Sequence, residues 1–152
     1  MNNNNNNNNN SIKDNFVSQT ALHQLLLQIH NNDVVSAKSI GSSVGKRATL
    51  LLLDHTLEPT QTATMKFISS KIWPQLYGHQ VESLRTDNNG TFVLLDSKLV
   101  PVMRCTKHKN YIEFNESVIK GVLQSLGYQE ESFRVNYIGL SKGMAQIQVH
   151  FK

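Results

Sequence analysis

The sequence predicts an α+β domain in which helices pack on a mainly antiparallel sheet. Three observations carry that reading. Apolar residues recur with a period near 3.6 from residue 18 to residue 76, and again over residues 115–126. They alternate with period 2 over residues 81–103 and 133–152. Asp87-Asn88-Asn89-Gly90 and Ser141-Lys142-Gly143, rich in residues that tolerate positive φ, separate the alternating runs as hairpin turns. Helical and strand periods fall in separate blocks, in the order α-α-α-β-β-β-α-β-β, which is the pattern of α+β rather than α/β architecture.

The elements follow in order. Residues 2–10 are all Asn. They have no apolar side chains to bury, so residues 1–17 read as a disordered tail and residues 18–152 as one domain. A remainder of this size is enough for one core and too short for two. Leu22, Leu25, Leu26 and Ile29 form one stripe of a first helix over residues 18–30. Asn31-Asn32-Asp33 ends it. Gly41-Ser42-Ser43 reads as the start of a second helix running to about Leu57. Val44, Ala48, Leu51 and Leu52 make its core stripe, and Leu50, Leu53 and Leu57 make a second stripe on another face. A helix apolar on two faces must be covered twice, the second time by another element or another chain.

A third helix over about Thr62–Trp73 is lined by Met65, Ile68, Ile72 and Leu76, with a break or kink expected at Pro74 and closure at Gly78. Val81–Thr86, Thr91–Asp96 and Lys98–Met103 read as strands. A fourth helix starts from an Asn115 cap and buries Val118, Ile119, Val122, Leu123 and Leu126. Gly127 suits a left-handed C-terminal cap. Ser117, Gly121 and Ser125 recur every four residues, leaving room for another element to come close. Ala145, Ile147, Val149 and Phe151 alternate with polar residues in the cleanest half-buried strand of the chain.

Composition narrows the function. The net charge is +4 and the basic residues are spread out. Their densest group, Arg104, Lys107, His108 and Lys109, reads as a solvated loop, so nucleic acid is not an expected partner. Cys105 is the single cysteine. It can close no disulfide within the chain and build no thiolate metal site, a usage that fits a reducing compartment. Uninterrupted apolar runs reach four residues, as at Leu50–Leu53, against the roughly 20 of a membrane span. The polar N-terminus does not resemble a secretory signal.

Catalytic motifs do not assemble. Gly41-Ser42-Ser43-Val44-Gly45-Lys46-Arg47 places three residues between its glycines where a phosphate loop needs four, and Arg47 stands where that loop needs Ser or Thr. Cys105 and His108 make half of a zinc pattern with no second half. His23, His30, His55, His79 and His150 show no ligand spacing, and His79 and His108 read as surface histidines. Glu130 and Glu131 read as a solvated turn rather than an acid/base pair. The expectation is a binding or assembly chain with no catalytic residues, no metal and no cofactor.

Met65-Lys66-Phe67-Ile68 and Trp73, followed by Leu84-Arg85-Thr86, Gly90 and Val93-Leu94-Leu95-Asp96, resemble the subunit 6 family of the transport protein particle (TRAPP) complex. Gly41-Ser42-Ser43-Val44-Gly45 resembles that family's Gly-x-x-Val-Gly element. Ile119–Gly127 resembles its Gly-containing helix, and Gln146-Ile147-Gln148-Val149 its closing strand. The resemblance spans about Ala21–Lys152. It implies the TRAPP small-subunit fold and a non-catalytic subunit of a vesicle tether in endoplasmic reticulum to Golgi transport. In such a tether the assembled complex, not the single chain, exchanges nucleotide on a Rab-family GTPase. It further implies a paralogous small subunit as heterodimer partner within the larger TRAPP complex. The location implied is cytoplasmic, at cis-Golgi and endoplasmic reticulum membranes, with membrane association only peripheral and through the complex. The paralogue's acylated cysteine has no counterpart here, because Leu57–Thr64 contains no Cys. With the first two helices as the contact, the expected interface residues are Leu22, Leu26, Leu50, Leu53 and Leu57. The competing reading is a domain of the same fold superfamily that binds a hydrophobic small molecule in a helix-lined pocket.

Overall fold

The computed structural model describes residues 34–54, 56–58, 60–99 and 108–152. The tail over residues 1–17 lies outside them, as do the first predicted helix with Leu22 and Leu26, and Cys105. The fold is α+β. Helix α1 spans Val34–Leu52. Helix α2, Gln61–Phe67, runs through a π turn at Ile68–Ile72 into the short helix α3, Trp73–Tyr77. Strands β1 (Ser83–Thr86) and β2 (Thr91–Asp96) come next, then α4 (His108–Ser125), a 3₁₀ turn at Glu130–Ser132, and strands β3 (Phe133–Ser141) and β4 (Met144–Phe151). The sheet order is β1-β2-β4-β3, antiparallel throughout.

The chemistry of each boundary is local. Thr60 caps α2, its hydroxyl accepting from the Ala63 amide at 3.1 Å. Pro74 does not break the run. The π turn immediately before it lets the Trp73 amide reach back five residues to the Ile68 carbonyl, a looser winding that admits the proline ring. Gly78 closes the run with φ 73°. Gly127 (φ 91°) ends α4 in a Schellman motif: its amide donates to Gln124 O, and the Tyr128 amide donates to Leu123 O, each at 3.1 Å. Asp87 Oδ1 accepts the Asn89 and Thr91 amides at 2.8 and 3.0 Å, fixing the first hairpin turn. Lys142 and Gly143, both at positive φ, form the two-residue turn between β3 and β4.

Three expectations about elements are corrected. Gly41-Ser42-Ser43 does not start α1 but lies inside it. Asn115 likewise lies inside α4, where its Nδ2 donates to Tyr111 O at 2.8 Å and its Oδ1 accepts from the Tyr77 hydroxyl. Lys98 and Leu99 are not strand: Ser97 and Lys98 form a turn, Leu99 is helical, and the place beside β2 is taken by β4. The rest of that predicted strand lies outside the described residues.

The core follows the two periods. Phe92 and Leu94 of β2, Val135 of β3, and Ala145, Ile147, Val149 and Phe151 of β4 line one sheet face, in register across the ladder. Met65, Ile68, Ile72, Phe114, Val118 and Val122 come from the helices into the same cluster. Helices α1 and α4 cross at van der Waals limits. A Cβ on Gly45 would stand 2.1 Å from Val118 O, one on Gly41 2.5 Å from Phe114 O, and one on Gly121 2.2 Å from Ser42 O. The small-residue spacing of α4 does admit a close neighbour, and that neighbour is α1.

Candidate partner-binding surface

The glycine contact orients α1. At 100° per residue, Ala48 and Leu52 lie within about 60° of Gly45, while Leu50 and Leu51 lie roughly 120–140° away. Ala48 is accordingly buried and Leu52 packs against the core. Leu50 is 76% exposed, Leu51 84% and Leu53 40%. Side by side at the end of α1, these three leucines form an apolar surface that is unpartnered among the described residues, the kind that marks a contact with another chain when it is large enough.

This divides the predicted interface set. Leu50 and Leu53 stand on the exposed surface. Leu57 does not: α1 ends at Leu52, the chain turns at Asp54, and Leu57 folds back to pack against the core. Leu51, expected in the core stripe, is the most exposed of the group. The 3.6 period alone did not reveal this, because four consecutive leucines offer every face and only the glycines say which one is inside. Leu22 and Leu26 lie outside the described residues.

Beside this surface, α4 and the α1–α2 connection enclose an open cleft of about 480 Å³ lined by Leu53, Asp54, Leu57, Glu58, Leu126 and Tyr128 among others. Tyr128 is held from behind, its ring 5.2 Å from Phe151 and its hydroxyl 3.2 Å from Thr64 Oγ1. Asp54 Oδ1 accepts the Thr56 amide at 3.3 Å. Sequence reasoning did not bring these residues together, since the two walls are more than sixty positions apart in the chain.

A separate, buried polar cluster gathers around Asp96. Asp96 is 1% exposed. Its Oδ2 accepts Trp73 Nε1 and His79 Nε2, each at 2.7 Å, and its Oδ1 accepts the Lys98 amide at 2.9 Å. His79 is therefore not a surface histidine. Its Nδ1 lies 2.9 Å from the Tyr77 carbonyl, so both ring nitrogens face oxygen acceptors. Burial pushes the Tyr77 hydroxyl well up, with Tyr111 and Asp96 adding to the shift. Burial likewise raises Tyr111. Both phenols stay protonated, and the Tyr77 hydroxyl donates to Asn115 Oδ1. The cluster is saturated with protein partners and opens on no cleft among those described, so its role is to hold α3 against β2.

Nothing catalytic gathers elsewhere in the described residues. The phosphate-loop candidate is interior helix, with Gly41 and Gly45 pressed on α4, so its amides are committed to helical bonds. No group of three or more His, Cys, Asp or Glu that could hold a metal occurs among the described residues. No helix among them is long and apolar enough to cross a membrane.

The comparisons with known proteins point one way. The family model described as transport protein particle (TRAPP) component matches residues 5–152. An uncharacterized protein of Schizosaccharomyces pombe is 27% identical over 110 residues, covering 66% of this chain and 44% of its own. Trafficking protein particle complex subunit 6B of Homo sapiens is 33% identical over 70 residues, covering 41% of this chain and 44% of its own. Mouse subunit 6A is 25% identical over 97 residues, 59% of each chain. The matches thus span about half the length of these curated relatives. With the family model covering nearly the whole sequence, on a fold whose helix crossing and closing strand carry the residues of the resemblance, the chain belongs to the TRAPP component family.

Proposed function

We propose that the chain is a non-catalytic subunit of a TRAPP vesicle-tethering complex, seated against a paralogous small subunit through the exposed leucines at the end of α1. The observation that carries this reading is Leu50, Leu51 and Leu53 exposed together on a member of this family. A stable contact buries about 800 Å² on each partner, and three adjacent leucines supply an apolar centre for one. The names of the curated relatives, subunits 6A and 6B of the trafficking protein particle complex, support the same assignment. In this reading the chain works on the cytoplasmic side of endoplasmic reticulum and cis-Golgi membranes. It reaches the membrane only through the complex and contributes to Rab GTPase exchange only when assembled. The rival reading, an apolar ligand in the domain interior, draws little support from the void between α4 and β4, whose volume of about 10 Å³ has room for a water at most.

The test is pairing. Leu50→Asp/Leu51→Asp should abolish co-purification with the paralogous small subunit while leaving the melting temperature unchanged, since both side chains already face solvent. Leu53→Asp should act in the same direction. Pairing that survives the double substitution sinks the proposed contact. Nucleotide exchange on a Rab GTPase by the pure chain, at a rate proportional to its concentration, sinks the non-catalytic assignment.

A further inference from the structure

The geometry points to a second docking site, in the cleft between the α1–α2 connection and the end of α4, for a segment of another protein that carries a Lys or Arg beside an apolar residue. Leu57, Leu126 and Tyr128 give the cleft an apolar floor, and all three are only partly covered by the domain. Its volume of about 480 Å³ suits one or two large side chains rather than a whole helix. The rim sets the charge. Asp54 and Glu58 both line the cleft and both are exposed. Among the described residues neither forms an ion pair.

The backbone adds to this field. Helix α1 ends at Leu52, next to Leu53 and Asp54, and α4 ends at Ser125, which itself lines the cleft. Each helix C-terminus carries a partial negative charge of roughly half an electron. Neither helix has a basic residue in its last turn to offset it. Two carboxylates and two helix C-termini thus converge on one apolar depression, in a chain whose net charge is +4. A cationic side chain with an aliphatic stem satisfies both features at once, its methylenes on the leucines and its charge at the rim. The inference rests on the assembly reading only in taking the occupant to be another protein. Its lining shares Leu53 with the proposed leucine contact but includes neither Leu50 nor Leu51.

The experiment titrates the full chain with a synthetic amphipathic peptide of Leu and Lys, and with its Leu and Glu counterpart, following backbone amides by NMR. The Leu/Lys peptide should shift the amides of Asp54, Glu58, Gly127 and Tyr128, and the Leu/Glu peptide should leave them in place. Asp54→Asn/Glu58→Gln should weaken the Leu/Lys peptide about tenfold, a loss on the scale of two partly exposed charge pairs. Both substitutions are at exposed positions and keep the side-chain shape with one of its two oxygens, and an unchanged melting temperature verifies the fold. Equal binding of the two peptides, unchanged affinity in the double variant, or shifts confined to Leu50 and Leu51 would overturn the site. So would displacement of the peptide by self-association, because the occupant would then be a second copy. Co-purification of the paralogue with the Asp54→Asn/Glu58→Gln variant, measured separately, keeps failure of this site distinct from failure of the leucine contact.

Discussion

Gly45→Ala sets two opposing effects against each other, and the structure says which wins. Alanine is the better helix former by about 1 kcal/mol in a helix interior. Were α1 free on this side, the substitution would stabilise it. Here the new methyl would stand 2.1 Å from Val118 O, 3.0 Å from Val118 C and 3.1 Å from Val122 N, whereas ordinary contact begins at 3.4 Å. All three are backbone atoms of α4, so no side chain can swing away. The helices must part by more than an ångström at this point, which also loosens the contacts at Gly41 and Gly121. Overpacking of this kind costs about 1–3 kcal/mol, and a gap of an ångström forfeits much of the dispersion energy along the rest of the crossing. The upper end applies, leaving a net loss of about 2 kcal/mol. For a domain of this size that lowers the melting temperature by roughly 5–10 °C. Urea unfolding reports it directly, because Trp73 is the single tryptophan and lies fully buried. Ser43→Ala, exposed on the same helix, is the control and should be neutral or slightly stabilising. A Gly45→Ala protein as stable as the parent would refute the close crossing.

The same change at Gly127 should cost only about 1 kcal/mol, read in the same urea assay, because its φ is 91° but nothing lies within 4 Å of the added methyl. Asp96→Ala should destabilise by about 3 kcal/mol, since it leaves the indole N–H of Trp73 buried without its acceptor; the Trp73 emission maximum of the folded protein should shift with it. The Asn89 amide, then Thr91, hold the Asp87 carboxyl below its ordinary value of 3.8. A lowered carboxylate stabilises the fold above its unfolded value, and that contribution fades as pH falls through the folded one. The stability difference between the parent and Asp87→Asn should therefore be constant near neutrality and shrink below pH 3.8.

How much was legible depended on whether a pattern named its partner. Strand β4 was read residue by residue, because strict alternation from Ala145 to Phe151 has one solution: one face in, one face out. The Gly127 cap was equally plain, since a glycine after an apolar stripe does one thing. Gly41 and Gly45 were misread as punctuation because a glycine's local meaning, a helix end, is commoner than its tertiary meaning, a place where another backbone comes close. Asn115 failed for the same reason: its preference for caps lost to a buried bond with Tyr77. The exposed leucines show how one such error spreads. With α1 started too late and run too far, Leu57 fell on an outer stripe it does not occupy and Leu51 on an inner one it does not occupy either. Once Gly45 is placed against Val118, the directions of Leu50 and Leu51 are no longer free, because a rigid helix with one face fixed has its opposite face fixed too. The glycines that close the core thereby choose which leucines are left for a partner. The surface proposed for assembly is a geometric consequence of the helix crossing, not a separate feature added to it.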